Sequence, residues 1–136
     1  CPFPNTPLFT HVPPVDEKEL TNYYAKAKVF VLPSRAEGLA LVLAQAVVSG
    51  LPVVYSKDTG GHDIKKLIEP KGDFMFEMES FSEESLKACI EKALMAYQNQ
   101  PDGVPRNYTV PQKLEKLTWT AYGQRYETLF DKLIHE

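Results

Sequence analysis

The sequence predicts an α/β fold in which a parallel sheet is flanked by helices. Residues 28–33 and 51–55 are short apolar runs with the length of buried strands. Between them, residues 39–48 are apolar on nearly every face and stop at Gly50, where a left-handed residue ends a helix. We expect such a helix to be covered on all sides. Strand, helix and strand within about 28 residues form a crossover unit, which makes the two strands parallel.

The N-terminal residues predict one helix ahead of this unit. Residues 1–8 contain three prolines and predict an extended leader. Residues 9–12 are compatible with a short strand. Asp16 and Glu19, three residues later, form a capping-box pattern that predicts a helix over 17–27. The expected apolar face of this helix consists of Leu20, Tyr23, Tyr24 and Ala27.

The residues after the second strand predict further short elements. Residues 56–63 are a glycine-rich loop that leads into a short helix over 64–68, and residues 73–76 predict a last strand. Ser82 begins a helix with apolar residues at helical spacing. These residues are Leu86, Cys89, Ile90, Ala93, Leu94 and Tyr97. A polar loop over 98–111 and a final helix over 118–134 complete the chain.

The composition is that of a soluble globular protein with one domain. The chain has 136 residues, of which 43% are hydrophobic and 24% are charged. The net charge of −3 and the lack of a basic cluster argue against nucleic acid as a partner. Cys1 and Cys89 match neither a zinc site nor a disulfide framework, so we expect a reduced, cytoplasmic protein. No apolar run reaches the length of a transmembrane segment, and no signal peptide is visible.

Polar residues and a glycine follow the first predicted strand directly. Ser34, Arg35 and Glu37 lie in the turn between this strand and the buried helix. Ligands of open α/β sheets bind at such turns. Gly38 lets a ligand approach the backbone closely. The amides of Gly38 and Leu39, at the start of the helix, are free donors suited to a phosphate. This turn is the first candidate site.

Gln45 is a polar side chain inside the apolar helix, eight residues after Glu37. At about 1.5 Å of rise per residue, the two lie about 12 Å apart, so a group as long as a nucleotide-sugar could contact both. Each candidate also has a structural alternative. Glu37 can favour the helix dipole, and Gln45 can bond to core backbone. Ser34 can cap the turn or contact a sugar, and Arg35 can lie on the surface or reach phosphates; the sequence leaves both questions open.

Other motifs carry weaker signals. Gly60 and Gly61 precede a helix and can direct amides to a phosphate, although a simple turn is the favoured explanation. His11 and His62 have no partner at the spacing of a metal site or a catalytic triad, which favours structural or solvated roles. The chain has no Walker-type loop, which argues against an NTPase.

Five segments together carry a resemblance to a known family. They are residues 29–34 (VFVLPS), 37–39 (EGL), 41–46 (LVLAQA), 49–54 (SGLPVV) and 60–61 (GG). The pattern resembles the C-terminal, Rossmann-like domain of GT-B glycosyltransferases. Within that group it is most similar to the family 4, or group 1, retaining enzymes. The resemblance extends more loosely from about Phe9 to Lys132 and implies a partial C-terminal GT-B domain over residues 9–136.

The resemblance implies roles for several residues. Glu37 matches the family's first Glu, which contacts the donor sugar, whereas Gln45 stands where the family has a second Glu that contacts the ribose. Ile64, with Asp63 beside it, stands where the family's Gly-Gly pair is followed by a Glu. The loop over residues 12–16 is placed near the nucleobase. The family holds the diphosphate without a metal, so we expect neither a metal nor another cofactor.

We expect the donor-binding part of a retaining glycosyltransferase that transfers a hexose from a UDP- or GDP-sugar to a hydroxyl acceptor. The chain begins at Cys1 without Met, so we expect a piece of a longer enzyme, lacking the N-terminal acceptor domain and inactive alone. We expect it in the cytoplasm, free or at the cytoplasmic face of a membrane. The first strands of the donor domain would also be missing from this partial domain. Their absence would expose a sheet edge, through which self-association is possible. The alternative is a non-catalytic nucleotide-sugar-binding or interaction module with the same fold.

Overall fold

The computed structural model describes residues 6–37, 41–68, 74–99 and 124. Within these residues, three strands form one parallel sheet in the order β1-β2-β3. The strands are β1 (Phe30–Leu32), β2 (Val53–Tyr55) and β3 (Met75–Glu77). The predicted parallel sheet is therefore confirmed.

Four helices flank the described sheet. They are α1 (Glu17–Lys26), α2 (Leu41–Val48), α3 (Gly61–Ile68) and α4 (Glu83–Gln98), and a 3-10 turn over Lys57–Thr59 precedes α3. None of the helices in the described part of the chain combines the length and the apolar character needed to cross a membrane. The flanking helices confirm the predicted fold class.

The central strand β2 separates two apolar clusters because successive side chains point to opposite faces of a sheet. Val53 and Tyr55 pack in the cluster that contains the buried residues of α1, α2 and α3. Val54 packs on the other face with Cys89 and Ala93 of α4. All three β2 side chains are fully buried. The sheet is thus covered on both faces, as parallel sheets usually are.

The helix termini follow the local sequence signals. Asp16 caps α1 by accepting a hydrogen bond from the Glu19 amide at 2.8 Å, and Ser82 caps α4 in the same way. Gly50 ends α2 with a φ of 74°. Its amide donates to Val47 O at 3.0 Å, while the next amide, of Leu51, donates to an earlier helix carbonyl at 3.1 Å. This pair of bonds is the Schellman motif.

Within the described residues, helix α2 is not covered on all sides, contrary to the expectation. One face packs against the sheet, whereas Leu41, Val42 and Val48 are 45%, 36% and 42% exposed. Nothing in the described ranges covers this second face. Strand β1 is half-buried instead of buried, because it is an edge of the described sheet and pairs there with β2 alone. Tyr23, expected in the apolar face of α1, is also exposed.

Three further expectations need correction. Residues 9–12 form no strand, since no strand in the described ranges lies beside them. The chain there leaves a turn in which the Phe9 amide donates to Thr6 O at 3.1 Å. Helix α3 begins at Gly61, not near residue 64, because Gly60 adopts a left-handed conformation directly after the 3-10 turn. Strand β3 ends one residue later than expected.

Several expectations fall outside the described residues. These are the start of the leader at residues 1–5, the amides of Gly38 and Leu39, and most of the loop over 98–111. The final helix over 118–134 also lies there, apart from Gln124, which is helical.

Candidate functional site

The carboxyl ends of the three parallel strands open onto a cavity of about 320 Å³. The loops that follow the strands supply its lining. The lining residues are Ser34 and Arg35 after β1, Ser56, Lys57 and Asp58 after β2, and Met78, Glu79, Ser80 and Phe81 after β3. Ligand pockets usually measure about 300–1,000 Å³, so this one suits a small group or one part of a larger ligand.

The lining combines balanced charge with hydroxyl groups. Arg35 and Lys57 bring two positive charges, and Asp58 and Glu79 bring two negative ones. Carboxylates accept hydrogen bonds and the two cations donate them, so a ligand with many hydroxyls would find both kinds of partner. We had not predicted the residues after β2 and β3 as lining. The rule that ligands bind at strand carboxyl ends would have found them.

Arg35 lies at this cavity with its guanidinium over an aromatic ring. Its Cζ is 4.6 Å from the centroid of Phe81. A cation–π contact at an exposed site is worth about 0.5–1 kcal/mol. Arg35 is exposed and lines the cavity, and its contact with donor phosphates stays a prediction. Phe81 holds the guanidinium where the loops after β1 and β3 meet.

Two hydrogen bonds tie the loop after β1 to the loop after β2. The Glu37 amide donates to Asp58 O at 2.8 Å, and the Ser56 hydroxyl donates to Ser34 O. The Glu37 carboxylate is exposed and does not line the cavity. The backbone of the predicted catalytic residue is thus held by the neighbouring loop, while its side chain faces solvent.

Gln45 lies in α2 away from the cavity lining and is half-buried. Its Oε1 accepts a hydrogen bond from the Tyr24 hydroxyl at 3.4 Å. Burial raises the pKa of Tyr24 above its ordinary value, because a buried phenolate is disfavoured. The internal partner of Gln45 is thus a side chain of α1 and not the core backbone considered from the sequence. Its contact with a ribose stays a prediction.

The fold itself requires glycine at both Gly60 and Gly61. Gly60 has a φ of 71°, which favours glycine. A β-carbon on Gly61 would lie 2.3 Å from Cδ2 of Tyr55. These requirements account for both glycines without a ligand. A contact between their amides and a donor phosphate stays a prediction, and so does any contact made by Gly38 and Leu39, which are not described.

Polar contacts connect α3 to both ends of β3. Lys65 Nζ donates to Met75 O at 3.1 Å, and His62 Nδ1 lies 3.9 Å from Glu77 Oε2. The buried Tyr55 hydroxyl lies beside the Glu77 carboxylate but outside hydrogen-bonding geometry. Burial, and then the negative charge of Glu77, raise the pKa of Tyr55. The His62 side chain is 62% exposed, and such a surface contact contributes little to stability, so its structural or solvated role stays a prediction.

The described residues hold no group of three or more His, Cys, Asp and Glu side chains placed to bind a metal ion. Cys89 is buried, and its Sγ donates to Glu77 O at 3.4 Å. Burial raises the pKa of this thiol. A buried thiol in apolar surroundings is unreactive, so Cys89 has a packing role.

Three curated proteins are similar to this chain. A sulfoquinovosyl transferase of Arabidopsis thaliana is 32% identical over 120 residues, 84% of this chain and 22% of that protein. An uncharacterized glycosyltransferase of Haemophilus influenzae is 35% identical over 66 residues, 48% of this chain and 18% of that protein. A D-inositol 3-phosphate glycosyltransferase of an Arthrobacter species is 41% identical over 53 residues, 39% of this chain and 13% of that protein.

The chain spans at most about a fifth of the length of these relatives. No solved structure matches it significantly. A family model described as glycosyl transferases group 1 matches residues 6–95. The match covers more than half of the chain, includes all three described strands and ends within α4. The chain therefore belongs to the glycosyl transferases group 1 family.

Proposed function

We propose that this chain is the donor-binding part of a retaining glycosyltransferase, which transfers a hexose from a UDP- or GDP-sugar to a hydroxyl acceptor. The observation that carries the proposal is the cavity at the carboxyl ends of the three strands. Ser34 and Arg35, both candidates for contact with the donor, line it. Open α/β sheets bind ligands at this edge, and membership of a glycosyltransferase family supports a sugar as part of the ligand.

Glu37 would orient the donor sugar. Its carboxylate is exposed and accepts hydrogen bonds only, so sugar hydroxyls are suitable donors. The bond from its amide to Asp58 O at 2.8 Å limits the motion of its backbone. An orienting group contributes most when its position is fixed before the substrate binds. The loop thus offers a carboxylate whose backbone is held in place and whose oxygens are accessible.

The leaving diphosphate would be held by donors and not by a metal. The Arg35 guanidinium, held over Phe81, presents a planar set of N–H groups that suits phosphate oxygens. The amides of Gly38 and Leu39 would face the sugar or the distal phosphate from the start of the helix. Donors fixed in advance around a developing negative charge lower the barrier to bond cleavage.

The cavity would take part of the donor sugar, and Glu37, whose amide bonds to the lining residue Asp58, would reach the sugar from outside the lining. The cavity volume of about 320 Å³ lies at the small end of ligand pockets, too small for a whole nucleotide-sugar. Asp58 and Glu79 would accept hydrogen bonds from sugar hydroxyls, and Lys57 would donate to their oxygens. The nucleotide would then extend along α2 towards Gln45, whose amide nitrogen would donate to the ribose.

The alternative is a binding or interaction module without catalysis. One observation favours it: the Tyr24 hydroxyl donates to Gln45 Oε1 at 3.4 Å. This bond gives Gln45, which stands at the family's second Glu position, a role in joining α1 to α2. A module would bind a nucleotide-sugar without turning it over.

Donor binding and turnover of the full-length protein distinguish these two functions. Calorimetric titration with UDP-, GDP- and ADP-glucose should show saturable binding with one nucleotide preferred. Glu37→Gln should lower turnover by about 10²–10³-fold, as the loss of a group that stabilises the transition state does. Glu91→Gln, an exposed acid on α4, is the matched control and should leave turnover unchanged. Binding without turnover in the wild type supports the module, and full activity of Glu37→Gln refutes the role of Glu37.

A further inference from the structure

Two polar side chains, Ser56 and Thr59, are buried in the described part of the chain, with 5% and 0% exposure. Both lie between β2 and α3. A buried hydroxyl is costly unless it is hydrogen-bonded. The Thr59 hydroxyl donates to Ser56 O at 2.7 Å, and the Ser56 hydroxyl donates to Ser34 O. The first bond joins two residues within the loop after β2, and the second joins that loop to the loop after β1.

The segment that accepts the bond from Ser56 carries three of the predicted site residues, Ser34, Arg35 and Glu37. Ser34 O accepts the Ser56 hydroxyl, and three residues later the Glu37 amide donates to Asp58 O at 2.8 Å. These two bonds enclose Arg35 and residue 36. The loop after β2 thus holds the loop after β1 at two points, one on each side of Arg35.

These bonds hold the backbone of Glu37, whereas its carboxylate is exposed to solvent. An exposed loop samples many conformations unless hydrogen bonds or packing restrict it. A side chain that orients a reacting group has to be held within roughly 0.5 Å of its productive position. A displacement of about 1 Å, caused by a change away from the reacting atoms, can lower the rate by about 10²-fold. Buried hydrogen bonds that hold this loop would therefore keep Glu37 in its productive position.

We propose that Ser56 and Thr59 are positioning residues for Glu37. The bond from Thr59 holds the Ser56 carbonyl in place, and the bond from Ser56 holds Ser34. The loop after β1 is thereby kept where the Glu37 amide donates to Asp58 O. Their hydroxyl protons are used within the protein, so neither residue is assigned a contact with the donor. The kinetic part of this inference rests on the proposed role of Glu37, whereas the structural part can be measured by itself.

The kinetic test uses Ser56→Ala and Thr59→Val in the full-length protein. Thr59→Val removes the hydroxyl and keeps the branched shape of the side chain. We expect kcat to fall by about tenfold, with the KM for the donor changed less than about twofold, because orientation is lost and binding is not. Thr59→Ser retains the hydroxyl and should restore kcat. Ser49→Ala is the control: it removes a serine hydroxyl that donates to a backbone carbonyl, Gln45 O, at 2.9 Å, at the far end of α2.

The structural test is hydrogen exchange at the Glu37 amide, measured at residue level by mass spectrometry. Exchange at this amide should be several-fold faster in Ser56→Ala and Thr59→Val than in the wild type. Ser49→Ala should match the wild type. The amides of β2 and β3 report whether each variant is folded. If Ser56→Ala is not, the shape-conserving Thr59→Val decides the question.

The outcomes separate this inference from the proposed function. Unchanged exchange at Glu37 in folded Thr59→Val overturns the inference, whatever the activity. Faster exchange together with lower kcat supports it. Faster exchange, with full activity of Glu37→Gln, supports the positioning of the loop and refutes the catalytic role of Glu37.

Discussion

The ring of Tyr55 occupies the space that a side chain on Gly61 would need. A β-carbon built on Gly61 would lie 2.3 Å from Cδ2 and 2.5 Å from Cε2 of that ring. Tyr55 ends the central strand and is fully buried. Helix α3 can therefore start directly on the sheet only because its first residue has no side chain.

This contact predicts that Gly61→Ala destabilises the protein by about 1–3 kcal/mol, the usual cost of an overpacked core. The free energy of unfolding in urea measures the effect. Gly60→Asn is the comparison, because Gly60 needs a positive φ of 71°, which Asn tolerates better than other residues. It should cost less than Gly61→Ala. Equal stability of Gly61→Ala and the wild type would show that Tyr55 can move aside.

The buried Tyr55 hydroxyl predicts a loss of stability in alkali. Burial, with the charge of Glu77, raises its pKa in the folded protein, whereas tyrosines of the unfolded chain ionise near a pKa of about 10. Above that pH the unfolded state has released a proton that the folded state keeps, so stability falls as pH rises. Tyr55→Phe should weaken this pH dependence and should not lower stability at pH 7, since the buried hydroxyl that it removes has no hydrogen-bond partner.

Urea unfolding between pH 8 and 11, together with absorbance at 295 nm, measures both quantities. Ionisation of Tyr55 should coincide with unfolding. The same slope of stability against pH in Tyr55→Phe and the wild type would contradict the assignment. Tyr24, whose pKa burial also raises, contributes to the slope in both proteins, so the difference between them isolates Tyr55.

The contact between Arg35 and Phe81 predicts coupled effects on donor binding. Arg35→Ala should weaken binding by about 10–100-fold, because a hydrogen bond to a charged group is worth about 1.5–3 kcal/mol. Phe81→Leu should cost less, about 0.5–1 kcal/mol, because it removes only the ring that holds the guanidinium. Calorimetry on both variants and on the double variant gives the coupling. Strictly additive costs would mean that Phe81 acts independently of Arg35.

Gln45→Glu restores the acid that the family carries at this position and predicts tighter donor binding. A carboxylate accepts hydrogen bonds from ribose hydroxyls about twice as strongly as a neutral group. The new carboxylate can also accept the hydrogen bond that the Tyr24 hydroxyl donates to Gln45 Oε1 in the wild type. The dissociation constant should fall several-fold. Tyr24→Phe, which removes that hydroxyl and keeps Gln45, is the control. Unchanged affinity in Gln45→Glu would place the ribose elsewhere.

The parts of the fold that were predictable from sequence depend on neighbouring residues. Asp16 and Glu19 are three positions apart, and their cap is present. Gly50 ends α2 as its position after an apolar run predicts. The expectation that α2 is covered on all sides was wrong for the described residues, because periodicity reports the character of a helix and not what packs against it. The turn between the first strand and the helix named Ser34 and Arg35, but no local pattern pointed to Phe81.

The sequence by itself determined the class of the fold, the order of its elements and the turn that carries Glu37. Those features follow from spacing and capping over a few residues. Only the tertiary structure decided which loops meet. The bonds from Tyr24 to Gln45 and from Ser56 to Ser34 join residues 21 and 22 positions apart. The bond from Ser56 to Ser34 forms because parallel pairing brings the carboxyl ends of the strands to one edge, where strand order sets which loops lie side by side. The bond from Tyr24 to Gln45 forms because α1 and α2 pack in the same apolar cluster.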